Sequence, residues 1–177
     1  MRRLTSTTLL VTPVALLATT SGYATTYLTI EQAQAVMCPG ETLEPATVTL
    51  TDAERRAIEH AASVRVRQPA LRAWRVASGG WWLVDEVLGK HEYITYAVRL
   101  AAGGAVQQVE ILTYRETYGG QIRDAAWRAQ FTGRTSRSPL RLDHDIRNIS
   151  GATLSCRSVT DGIKRLLATH DLVLAHH

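Results

Sequence analysis

The chain has only two cysteines in 177 residues, Cys38 and Cys156. Neither stands in a Cys-x-x-Cys pair or beside a histidine, which argues against a zinc site and against thiol redox work. No Gly-x-Ser-x-Gly occurs, so nothing supports a hydrolase built on Ser150. No dinucleotide-fold or phosphate-loop glycine pattern occurs either, and a dissociable NAD(P) site is not expected. Repeats and low-complexity tracts are absent. The formal net charge is only +4, from 20 basic and 16 acidic residues. The arginines are scattered, so no nucleic-acid partner is expected. What remains is ordinary globular composition, 45% hydrophobic and 20% charged. The length suits one domain with a real core.

Residues 1–24 read as a secretion signal. Arg2 and Arg3 give a basic start, Leu9 to Leu17 is mostly apolar, and Gly22-Tyr23-Ala24 supplies small residues where a signal peptidase cuts. The apolar stretch is short and is interrupted by Thr12 and Pro13, which argues against a membrane span. No cysteine follows it, so a lipoprotein anchor is not supported. In an oxidising compartment Cys38 and Cys156 could form one disulfide. Two separate buried thiols are the commoner arrangement and the favoured one.

The rest reads as a single α+β domain. Thr29 with Gln32, and Thr51 with Glu54, are capping-box patterns that open helices over about 29–36 and 51–62. The second would place Ala57, Ile58, Ala61 and Ala62 on one side. Alternating segments at 73–77, 81–87, 93–100 and 106–113 are strands, separated by Ser78-Gly79-Gly80 and Ala102-Gly103-Gly104 turns. Connections this short make antiparallel hairpins. A helix is expected over Ile122 to Phe131, with Ile122, Ala126, Trp127 and Phe131 on one side. A last helix is expected over 154–168, with Val159, Ile163, Leu166 and Leu167 inward and Arg157, Lys164 and Arg165 outward. The expected architecture is an antiparallel sheet of hairpins with flanking helices.

The most unusual run is Asp145-Ile146-Arg147-Asn148-Ile149-Ser150-Gly151-Ala152-Thr153, which leads into that last helix. Its small residues let the backbone approach a ligand. A helix N-terminus offers free N–H groups and positive partial charge, which suits a phosphate. Thr153 and Ser155 place hydroxyls there. On the residues alone two readings stand: a generic anion site, or a helix cap, which is the commoner use of Ser or Thr at such a place.

Asp145, four residues, then Ser150-Gly151-Ala152-Thr153 resembles the flavinylation motif of the FMN-binding domain family. That family includes flavin-carrying components of the sodium-translocating NADH:quinone reductase and of the related Rnf complex. A second segment supports the resemblance: Tyr114-Arg115-Glu116-Thr117-Tyr118-Gly119-Gly120-Gln121-Ile122, with Trp127 and Phe131-Thr132-Gly133 behind it. It is similar to the family's Glu-Thr-Pro-Gly region, with Tyr118 where the larger complexes often have proline. The resemblance covers about 92–170, and 25–91 reads as the N-terminal helical and strand part of a small exported member.

The resemblance implies FMN joined through its phosphate to the Thr153 hydroxyl by a flavin transferase, with Asp145 at the acidic position the transferase requires. It implies cofactor contacts from Ser150, Gly151, Ala152, Ser155, Glu116, Thr117, Tyr118 and Gly119. It also implies an electron-transfer flavoprotein or reductase component, periplasmic or otherwise extracytoplasmic at the membrane, exchanging electrons with a membrane-bound redox partner. A non-catalytic or sensory module with non-covalent flavin is the alternative. The third possibility is a structural domain whose Ser-Gly-Ala-Thr is only a cap.

Three further features have plainer readings. Of Trp81 and Trp82, one is expected in the core and the other at an interface, since adjacent strand residues face opposite ways. Lys90-His91-Glu92 reads as a solvated turn, with phosphate contact or proton relay as the lesser alternative. His170, His176 and His177 read as mobile terminal residues with no designed metal site.

Overall fold

The computed structural model describes residues 25–177, so the expected leader at 1–24 lies outside them. The elements are β1 (Thr25–Thr26), α1 (Ile30–Met37), β2 (Leu43–Thr49), α2 (Asp52–Ala62), β3 (Ala70–Val76), β4 (Trp81–Leu88), β5 (Tyr93–Leu100) and β6 (Val106–Tyr114). Short turns of helix follow, among them α3 (Ala125–Arg128), and the chain closes with α4 (Thr153–Leu172) and a last 3₁₀ turn. One six-stranded sheet runs β1-β6-β5-β4-β3-β2, all antiparallel. This is the expected α+β architecture.

Both capping boxes form, at Thr29 with Gln32 and at Thr51 with Glu54. On α2 only Ile58 is fully buried, with Ala62 packed partly against the core; Ala57 and Ala61 are exposed. The strand β2 is longer than the sequence pattern shows. It carries Pro45, which a ladder tolerates because β2 is an edge strand.

The sheet is covered on both faces. Trp81, Leu83 and Val87 of β4 face the cluster that includes α2 and α4, while Trp82 and Val84 face the cluster built on α1. Both tryptophans are therefore core. The expected interface tryptophan is overturned by α1, whose Met37 Sδ lies 3.2 Å from Trp82 Nε1. The same division separates the cysteines. Cys38 lies in the α1 cluster and Cys156 in the α4 cluster, and both are buried free thiols.

Two helical expectations need correction. The segment from Gly120 to Phe131 is not one helix but a 3₁₀ turn, α3 and a second 3₁₀ turn. Asp124 adopts extended backbone (ψ 129°) and breaks it. Ile122, Trp127 and Phe131 are buried as expected, but Ala126 is exposed. On α4, Arg165 turns inward instead of outward and is 7% exposed. Its guanidinium bonds Asp85 Oδ2 at 2.5 Å and the Arg65 carbonyl at 3.0 Å. Tyr96 donates to the same Asp85 oxygen at 2.8 Å. Gly162 makes room for the Tyr96 hydroxyl, against which a Cβ would collide. His170 is likewise no mobile terminal residue: it is buried on α4, packed over Gly104.

Among the described residues no helix is long and apolar enough to cross a membrane. No group of three His, Cys, Asp or Glu among them could hold a metal ion.

Candidate functional site

Strand β6 ends at Tyr114, and the chain then turns through Glu116-Thr117-Tyr118-Gly119 directly beside the start of α4. Between the two lies a cleft of about 440 Å³. Its walls are Glu116, Thr117 and Tyr118 on one side, Gly151 through Ser155 on the other, and Lys90 and His91 at one end. Residues from the two segments singled out in the sequence, 116–118 and 151–155, thus form one site across more than thirty positions of chain.

The helix end itself is uncapped. Its N-cap is Ala152, with no side-chain cap, and the first helical bond runs from Cys156 N to Ala152 O at 2.9 Å. Thr153 is the first helical residue, not the cap, so the cap reading does not hold. The first-turn N–H groups are left for water or a ligand. Gly151 takes φ +80°, the left-handed backbone that turns the chain into the helix. Thr153 is half-buried, and its Oγ1 accepts from Asn148 Nδ2 at 3.1 Å. Ser155 is buried, with Oγ 3.0 Å from the Tyr114 hydroxyl.

The facing loop is fixed at three points. The Tyr114 hydroxyl donates to the Tyr118 carbonyl. Since that uses its only proton, Ser155 is the donor in the second bond. Burial raises the Tyr114 phenol above its ordinary value and keeps it protonated. Gly119 sits at φ +92°, and a Cβ there would lie 2.7 Å from Ala152 Cβ. Glu116 Oε1 accepts from the backbone N–H groups of His91 (2.7 Å) and Glu92 (3.1 Å). Burial opposes the charge on Glu116, but the N–H groups of His91, Glu92 and Lys90 outweigh it, so its carboxyl titrates below the usual value. The Lys90-His91-Glu92 turn is solvated as expected, and it also clamps the loop. Tyr118, in place of proline, has its backbone held and its side chain 79% exposed on the rim.

Of the ten candidate residues, Glu116, Thr117, Tyr118, Gly151, Ala152, Thr153 and Ser155 line the cleft and Gly119 is packed beneath it. Asp145 and Ser150 do not line it. The Asp145 carboxylate turns back to accept Arg141 N (2.9 Å) and Nε (3.0 Å), and those bonds hold it below the usual carboxylate range. Ser150 is exposed outside the cleft. Tyr114 and Asn148 did not stand out in the sequence. The signal for Asn148 was there: a short amide ahead of a helix often bonds nearby chain atoms.

The cleft fits a flavin mononucleotide in size and chemistry. Its volume is within the range of small-molecule sites, roughly 300–1,000 Å³. One end presents helix N–H groups to a phosphate. Tyr118 and Leu154, 79% and 47% exposed, offer aromatic and apolar surface.

No curated protein matches the chain. Residues 89–168 match the sequence model of the FMN-binding domain. That span opens at the Gly89–Glu92 turn, closes within α4 and holds every residue that lines the cleft. Residues 89–168, somewhat under half of the chain, therefore match the FMN-binding domain family, and that match supports flavin binding.

Proposed function

We propose that FMN is joined to Oγ1 of Thr153 by a phosphodiester, and that the protein is an exported electron carrier. The observation that carries this reading is the cleft, where Thr153 on an uncapped helix end faces the Glu116-Thr117-Tyr118 loop. FMN supplies reversible one- and two-electron chemistry when bound. The chain's own residues supply position and surroundings. The first-turn N–H groups of α4 bind the phosphate, and the helix dipole favours the charge that the diester retains. Glu116, through the Lys90–Glu92 turn, holds the loop against the helix. Tyr118 and Leu154 supply the contact surface for the ring.

Export supports the covalent bond. Outside the cytoplasm no dependable pool of free FMN exists, and a dissociable cofactor would be lost. A bond to Thr153 keeps the site filled at any FMN concentration. Maturation then needs a flavin transferase, and electrons exchange with a membrane-bound redox partner on the extracytoplasmic side.

The test is co-expression of the full chain with a flavin transferase, followed by denaturing electrophoresis under ultraviolet light and intact mass. A fluorescent band, with a mass gain of one FMN less one water, is expected. It should vanish in Thr153→Val with the fold intact. A colourless wild-type protein would sink the covalent reading. Yellow colour lost on denaturation would favour a non-covalent or sensory flavin module instead.

A further inference from the structure

We propose that Asn148 is a positioning residue that presents the Thr153 hydroxyl for modification. This rests on the covalent reading above. The Asn148 amide is held at both ends. Its Oδ1 accepts from Ile149 N at 2.8 Å, and its Nδ2 donates to Thr153 Oγ1 at 3.1 Å. The first bond fixes the second. A reversed amide would set its NH₂ against the Ile149 N–H, donor against donor. Thr153 is therefore the acceptor, and its own proton remains free.

That state is unusual on this helix. The hydroxyls of Thr160 and Thr169 donate to the carbonyls one turn back, at 2.7 Å and 2.8 Å. Those protons are spent and both side chains are buried. Ser155 spends its proton on Tyr114. Ser150 is exposed but does not line the cleft. Of the hydroxyls between Ser150 and Ser155, Thr153 alone lines the cleft with its proton free. Asn148 holds its rotamer and leaves a lone pair and the proton to the cleft.

The donor in this transfer is a flavin dinucleotide. The Thr153 Oγ1–P bond forms, a P–O bond of the donor's pyrophosphate breaks, and a nucleoside monophosphate leaves. The hydroxyl proton passes to a base of the transferase. The Asn148 N–H stabilises the negative charge that grows on Oγ1 as the proton departs.

Asn148→Asp separates positioning from support. The carboxylate keeps an acceptor for Ile149 N but has no donor for Thr153, and it draws the hydroxyl proton to itself. Asn148→Ala removes both bonds. Transfer is followed by intact mass and in-gel fluorescence, with a flavin transferase and flavin adenine dinucleotide, per folded chain judged by circular dichroism. Both variants should lower kcat roughly 10- to 100-fold with KM for the chain unchanged. Asn148→Asp labelled at the wild-type rate overturns the proposal and leaves Asn148 as a backbone cap. A raised KM with intact kcat also overturns it, since that is recognition by the transferase. An unlabelled wild type ends the covalent reading itself, whereas a labelled wild type with unaffected variants removes only the role of Asn148.

Discussion

The hydroxyl of Tyr114 donates to the Tyr118 carbonyl and accepts from Ser155 Oγ at 3.0 Å. One side chain at the end of β6 thus ties the cleft's loop to the first turn of α4. Tyr114→Phe keeps the ring and removes both bonds. It leaves the buried Ser155 hydroxyl without its acceptor and should cost about 1–3 kcal/mol. Urea unfolding checks this, and Tyr114→Phe combined with Ser155→Ala should recover part of the loss.

Gly119 has no room for a side chain. Its φ is +92°, and a Cβ would meet both the Tyr114 hydroxyl at 2.6 Å and Ala152. Gly119→Ala should destabilise by about 1–3 kcal/mol through backbone strain and push the two walls apart. Gly120→Ala is the control, since a Cβ at that position meets nothing within 4 Å. Thermal melts and FMN labelling of the two variants should differ sharply.

Arg165 and Asp85 are an ion pair largely removed from water, with side-chain exposures of 8% and 25%. Burial works against the Arg165 charge, but Asp85 beside it holds the guanidinium protonated. Arg165→Met leaves the Asp85 carboxylate without its counter-charge, with only the Tyr96 hydroxyl still donating to it, and should cost about 3–5 kcal/mol. The double variant Arg165→Met with Asp85→Leu should be more stable than Arg165→Met alone. Denaturant titration of the wild type, Arg165→Met, Asp85→Leu and the double variant gives the coupling.

Two groups contribute to the acid response in separate pH windows. Burial lowers the His170 imidazole below its ordinary 6.5, and its Nε2 is buried without a partner. A lowered folded value means that the stability it contributes is fully present above 6.5 and is lost as pH falls through the folded value. His170→Gln should therefore flatten the loss of stability that begins below pH 6.5. Glu116 is also lowered, so its contribution is present above 4.5 and disappears at more acid pH. Glu116→Gln should reduce that second, lower step, to which Asp145 also contributes, and leave the first. Melting temperature followed across both windows distinguishes them.

The hairpins were legible because glycine turns and alternation are local signals. Ser78-Gly79-Gly80 and Ala102-Gly103-Gly104 sit where the chain reverses. The capping boxes were legible for the same reason. What was hidden depends on which element covers which face. Trp82 is buried because α1 lies on its side of the sheet, and alternation alone does not reveal that cover. Arg165 followed the outward pattern of its neighbours, yet a carboxylate on β4, 80 residues away, draws it inward. The site divided in the same way. Thr153 and the Glu116 loop were readable as motifs, whereas Asp145 was placed by its motif position and the fold spends it on Arg141. The Tyr114 and Asn148 contacts depend on side-chain directions that no spacing reports.

The contact of Gly119 with Ala152 also bears on timing. The cleft's walls come from opposite sides of the long connection between β6 and α4, and they meet at Gly119 and Ala152. Tyr114 and Ser155, 41 residues apart, join the loop's end to the first turn of α4. Such a site is complete only once this non-local pairing has formed. An unfolded chain would offer Thr153 as one hydroxyl among many. A transferase that selects Thr153 by this geometry would then recognise a finished domain, and attachment would follow folding.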